Sequence, residues 1–172
     1  MPTPMPTLFV SHGAPTLVMD PVPTRDFLLS LGGALPRPKA ILAVSAHWDT
    51  SRPRLSGTPQ PHTMYDFYGF PKELYDITYP APGSPELAER AAELLAQAGL
   101  PSDLSAEMDA HRGLDHGAWV PLSLMYPKAD IPVVQLSIQS HQSPAHHLAL
   151  GPSPGPPARR GRAHCGQRQR HP

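Results

Sequence analysis

Three short apolar runs constrain the fold most: "TLFVSHG" at 7–13, "KAILAVSAHW" at 39–48 and "IPVVQLSI" at 131–138. All three have strand length, and little in them alternates apolar with polar. A strand that reads as a nearly continuous apolar stretch is covered on both faces, as in parallel sheets flanked by helices. The segments between fit that plan. "TRDFLLSLGGAL" is apolar at 27, 28, 31 and 35, a helical spacing with Thr24 as N-cap. "SPELAERAAELLAQAG" opens with Ser84 as cap and Pro85 at the first helical position, carries a stripe of Leu87, Ala91, Leu94 and Leu95, and stops at Gly99. "HGAWVPLSLMY" (116–126) has a helical rhythm, and "SPAHHLALG" (143–151) opens another helix with Ser143 as cap. The order predicts an α/β fold: a mixed, largely parallel sheet flanked by helices. Ligands of such sheets bind beyond the carboxyl ends of the strands.

Proline makes up 25 of 172 residues, well above the usual one in about twenty, and punctuates ordered loops. Residues 49–83 form the longest, rich in Pro, Gly and aromatics. Loops of that length in a compact domain are commonly functional. Within it, Tyr65, Asp66, Phe67, Tyr68 and Phe70 are expected to pack the loop, the alternative being an aromatic-binding pocket.

Ten histidines raise the question of a metal. His12 follows "TLFVS" and His47 follows "ILAVSA", so both come at the carboxyl end of an apolar run. On neighbouring strands two imidazoles can converge on one divalent ion. Two hydrogen-bonded strand-end histidines would look the same, because no HxH or HExxH spacing is present. His116 lies between Asp115 and Gly117. There Asp115 is either a helix N-cap or the neighbour of an acid/base or substrate-binding histidine. His141, just after a strand, has a weaker claim, as do His62 and His111. His146 and His147 are adjacent on a helix and do not face one way.

Other classes are excluded or weakened. No nucleophile elbow, phosphate loop, dinucleotide fingerprint or CxxC occurs. Residues 1–150 hold nine basic and fourteen acidic side chains, so a nucleic-acid role would rest on the last 22 residues alone. One cysteine forms no internal disulfide. The N-terminus lacks a signal-peptide pattern, and no stretch approaches 18 apolar residues. A soluble, cytoplasmic protein without nucleic-acid or membrane partners is the expectation.

"LFVSHGAPT", "LPRPKAILAVSAHW", "MYDFYGFPKELYDITYPAPGSPELA" and "GLDHGAWVPLSLMYPKADIPVVQLSI", in this order, resemble the DOPA-dioxygenase-type class III extradiol enzymes of the protocatechuate 4,5-dioxygenase B-subunit-like superfamily. The resemblance implies a non-haem Fe(II) centre, with Zn(II) sometimes found in isolated protein. It implies an oxidoreductase that opens a catechol-type ring beside its hydroxyls with O2. It makes His12 and His47 metal ligands and His116 an active-site histidine; substrate-binding residues stay unassigned. The competing readings are a zinc-dependent hydrolase using the same histidines and a nucleic-acid-binding protein acting through its tail.

The resemblance runs through about residues 5–151 and ceases at Gly151, so that residues 1–151 are read as the N-terminal part of one catalytic domain. Family members continue with a helix, a strand and an SGxxxH turn, and a further ligand histidine lies in their last third. Residues 152–172 instead hold five arginines, five prolines and Cys165, with no Asp or Glu, and are expected to be disordered. Codons compatible with the tail, with one C deleted after that of Gly151, read GRALAPLRDEGVLIVGSGNAT, which restores the family pattern. The tail is therefore read as a frameshift product, the catalytic domain as incomplete at its C-terminus, and the 172-residue chain as inactive or impaired. The nucleotide sequence across codon 151 tests this, and a closed shifted frame would overturn it.

Overall fold

The computed structural model describes residues 5–98 and 112–150. The tail reading, His111 and the Gly99 stop all lie outside the described residues. Two strands, β1 (Ile41–Asp49) and β2 (Val133–Ile138), pair in parallel. Ile41 lies opposite Val133 and Val44 opposite Leu136, and the register shifts before Asp49 meets Ile138. Helices α1 (Pro23–Ala34), α2 (Pro85–Gln97), α3 (His116–Met125) and α4 (Pro144–Leu150) accompany them. The expected α/β class with a parallel sheet and flanking helices is what forms.

Two apolar cores sandwich β2. On one face Val133 packs with Leu28 of α1 and with Trp119, Val120 and Leu124 of α3. On the other, Val134 and Leu136 pack with Leu55 and with Ala88 and Leu95 of α2. Ser84 caps α2 as expected, its Oγ accepting from Leu87 N at 3.2 Å. Helix α1 begins one residue before the expected cap. Pro23 occupies its first turn after extended Val22, where a fixed φ and a missing N–H cost nothing.

Two strand expectations need correction. Residues 7–13 form no strand: Phe9 is fully exposed, and the segment makes no ladder bond to the described residues. An apolar run becomes a strand only when another strand accepts its backbone, and β1 takes β2 as its one partner among the described residues. Nor is 39–48 covered on both faces. Leu42 and Val44 are 45% and 61% exposed: the core that α2 builds on this face takes in Val134 and Leu136 of β2 and neither of these β1 residues.

The long loop is ordered by the backbone of its neighbours. Met64 N donates to Leu114 O and Leu114 N to His62 O, both at 2.8 Å, and Ser56 N donates to Gln135 O at 2.9 Å. Trp119 Nε1 donates to Met64 O at 2.9 Å. The segment 62–66 is thereby fixed against the start of α3, and this is what positions the site.

Candidate metal centre

Three elements deliver one histidine each to the same point. His47 is near the carboxyl end of β1, His12 lies in the N-terminal segment outside helix and strand, and His116 is the first residue of α3. One ring nitrogen from each lies within 4.8 Å of the others. The Nε2 atoms of His12 and His47 are 3.0 Å apart, and the His47 and His116 ring centroids 3.9 Å. After His12 the chain turns through Gly13 at φ +59°, where a side chain would be strained.

The start of α3 is tied to β1 through Asp115, which is completely buried. Its Oδ1 accepts from Ser45 Oγ at 2.7 Å and from Ala118 N at 3.2 Å. Its Oδ2 accepts from Arg112 Nη2 at 2.7 Å and Gln135 Nε2 at 2.8 Å. Ser45 Oγ in turn accepts from His47 N at 3.2 Å. Asp115 is thus the expected N-cap and more, a carboxylate joining the His116 helix to the His47 strand. Arg112 also stacks over Trp48, 4.7 Å from the ring centre. Gly117 serves close approach: a Cβ there would strike Ser45 Oγ and lie 2.9 Å from His47 Cδ2.

His116 is gripped by Asp66, which the sequence placed among residues packing the loop or lining an aromatic-binding pocket. Asp66 Oδ1 lies 2.9 Å from His116 Nδ1 and accepts from His116 N at 3.0 Å. Burial raises the Asp66 pKa, but the hydrogen bonds from His116 outweigh it and hold the carboxyl below its usual range. Fifty residues separate the two, and no spacing rule pairs a mid-loop Asp with a distant helix start. Gln135 was missed too, although a polar residue inside the apolar run "IPVVQLSI" is a visible signal.

The remaining histidines lie apart. His62 is exposed; exposed His141 contacts Gln142. His146 Nε2 meets Gln139 Oε1 at 3.1 Å, and His147 Nε2 accepts from Gln139 N at 3.3 Å, so both clamp the turn after β2.

The donor set fits a divalent ion. Two nitrogens bound side by side at ~2.1 Å from one ion stand roughly 3 Å apart, as the Nε2 atoms of His12 and His47 do. His12 Nδ1 is buried without a hydrogen-bond partner among the described residues. Burial, then the neighbouring His116 and His47, lower the His12 pKa below 6.5, which favours the neutral form that binds metals. The sign for stability follows. The unfolded chain takes up this proton first, so the His12 contribution is intact above about pH 6.5 and is lost as pH falls below it. Thermal unfolding of the metal-free protein is expected to shift downward from about pH 7 to about pH 5, less so in His12→Gln. An equal shift in both would contradict this.

Fold and site together define an α/β protein with a three-histidine centre at the carboxyl end of its sheet. Residues 7–153 match the family described as the catalytic LigB subunit of aromatic ring-opening dioxygenase, and the chain belongs to that family. A 4,5-DOPA dioxygenase extradiol of Beta vulgaris is 51% identical over 153 residues, covering 87% of this chain and 56% of its own length. One from Escherichia coli K12 is 49% identical over 150 residues, covering 87% and 53%. The chain thus spans about half the length of the curated relatives it matches. The crystal structure of an uncharacterized Escherichia coli K12 protein superposes with a TM-score of 0.55 at 43% identity, covering 72% of this chain and 43% of that one. No helix among the described residues is long and apolar enough to cross a membrane.

Proposed function

We propose that this centre belongs to a non-haem Fe(II) extradiol dioxygenase that opens a catechol-type ring with O2, with a DOPA-like diol as substrate. The convergence of three imidazole nitrogens within 4.8 Å carries the reading. His12 and His47 would hold the metal, and Zn(II) would be accepted by the same nitrogens in isolated protein. Fe(II), when bound, supplies a Lewis acid for the diol oxygens and the redox partner that O2 requires.

The protein's own groups do the rest. His116, with Nδ1 occupied by Asp66, offers Nε2 to take a proton from a diol hydroxyl. Phe67 stands edge-on to His116 at 5.6 Å and joins Tyr65 and Trp119 in an aromatic wall that excludes water from that side. A cytoplasmic setting suits the reading, since Fe(II) persists under reducing conditions and the chain holds one cysteine.

Incubating the Fe(II)-loaded protein with a catechol under ¹⁸O2 tests the reaction class. The ring-opened product is expected to carry both labelled atoms, however slow the turnover of this chain. Absence of both O2 uptake and labelled ring-opened product from the Fe(II)-loaded protein would overturn the reading.

A further inference from the structure

We infer that Asp66 is a positioning residue: its carboxylate fixes His116 as the Nδ1–H tautomer and sets the orientation of the ring, leaving Nε2 as its lone-pair nitrogen. Only the catalytic consequence rests on the ring-cleavage reading.

A single oxygen, Asp66 Oδ1, holds both the backbone N (3.0 Å) and Nδ1 (2.9 Å) of His116. An ionised carboxylate can only accept, so the proton of this contact sits on Nδ1. With backbone and ring held by one atom, rotation of the imidazole would break a bond. The stretch of chain that carries Asp66 is itself held. Two residues earlier the chain is anchored through Met64 N to Leu114 O and through Trp119 Nε1 to Met64 O. Tyr65, next to Asp66, donates its hydroxyl to Ile77 O at 2.9 Å. The Asp66 side chain is 21% exposed and that of His116 8%, so little water competes for Nδ1. On the ring's other contacts Phe67 lies at right angles, and His12 and His47 lie at 4.8 and 3.9 Å between centroids. An imidazole without such a partner populates both tautomers, and one carrying its proton on Nε2 could not accept from a hydroxyl there.

Long-range ¹H–¹⁵N correlation of the imidazoles in the full chain, without added metal, reads the tautomer directly. At neutral pH His116 is expected to show a protonated Nδ1 and a bare Nε2. Asp66→Asn, which keeps an acceptor oxygen, is expected to retain this state, and Asp66→Leu to lose it to a mixture or to Nε2–H. A mere loop clip would leave the tautomer of Asp66→Leu unchanged. An Nε2–H form in the parent protein, or Nδ1–H persisting in Asp66→Leu, overturns the assignment; should the Leu variant not fold, Asp66→Ala takes its place in the same comparison. In the iron-loaded protein, Asp66→Leu is expected to lower kcat for the diol by about 10–100-fold with KM little changed. A changed tautomer with unchanged kcat would count against His116 as the base in ring cleavage and leave the tautomer assignment standing.

Discussion

Asp115→Ala is expected to destabilise the protein by about 3–5 kcal/mol, the usual cost of removing one partner from a buried ion pair. The substitution strips four donors of one acceptor group: Ser45 Oγ, Ala118 N, Arg112 Nη2 and Gln135 Nε2. It also removes the cap of α3, the most thoroughly buried helix described. Arg112, with a side chain 17% exposed, would keep part of its hydration, which places the cost toward the lower end of that range. For a domain of this size the midpoint of thermal unfolding should fall by roughly 10 °C. Asp115→Asn retains an oxygen for Ser45 and Ala118 but turns an amide toward two donors, so an intermediate loss is expected. Thermal unfolding followed by circular dichroism measures both. An Ala variant within about 1 kcal/mol of the parent would show that the network contributes little beyond a surface ion pair.

His47→Ala and His12→Ala are each expected to lower affinity for a divalent metal by at least ~100-fold, more than the loss of a supporting hydrogen bond around a metal site. Folding should survive, because His47 is exposed and His12 only half-buried, and neither supports a core. His116→Ala separates the two roles proposed for the cluster. If His116 serves as base, its removal leaves the ion bound and ends turnover. Calorimetric titration with Zn(II) reads affinity in all three variants. Loss of the ion from His116→Ala as complete as from His47→Ala would make His116 a third ligand instead.

The histidine pair was legible because each follows an apolar run of strand length, after Ser11 in one case and Ser45-Ala46 in the other, where a sheet ends and a ligand site opens. That logic placed His47 through β1. It also placed His12, although residues 7–13 form no strand. Helix starts were legible for a similar local reason. Ser84 and Asp115 accept from backbone N–H groups three residues on, a contact set by local sequence alone. The unread part was non-local. Asp66 reaches His116 across 50 residues of chain, and Asp115 finds Ser45 across 70. Those pairings depend on how a Pro-rich loop is laced to the strands by backbone bonds, which no periodicity encodes. Burial on the second face of β1 failed for the same reason, since coverage depends on where α2 settles over the sheet.

Anomalous diffraction at the iron edge, from crystals loaded anaerobically with Fe(II), tests the central claim most directly. One peak is expected per chain, ~2.0–2.2 Å from Nε2 of His12 and of His47, with Asp66 still on Nδ1 of His116. A chain that binds iron stoichiometrically with no peak between these histidines, or with the peak at His146 and His147, would contradict the account.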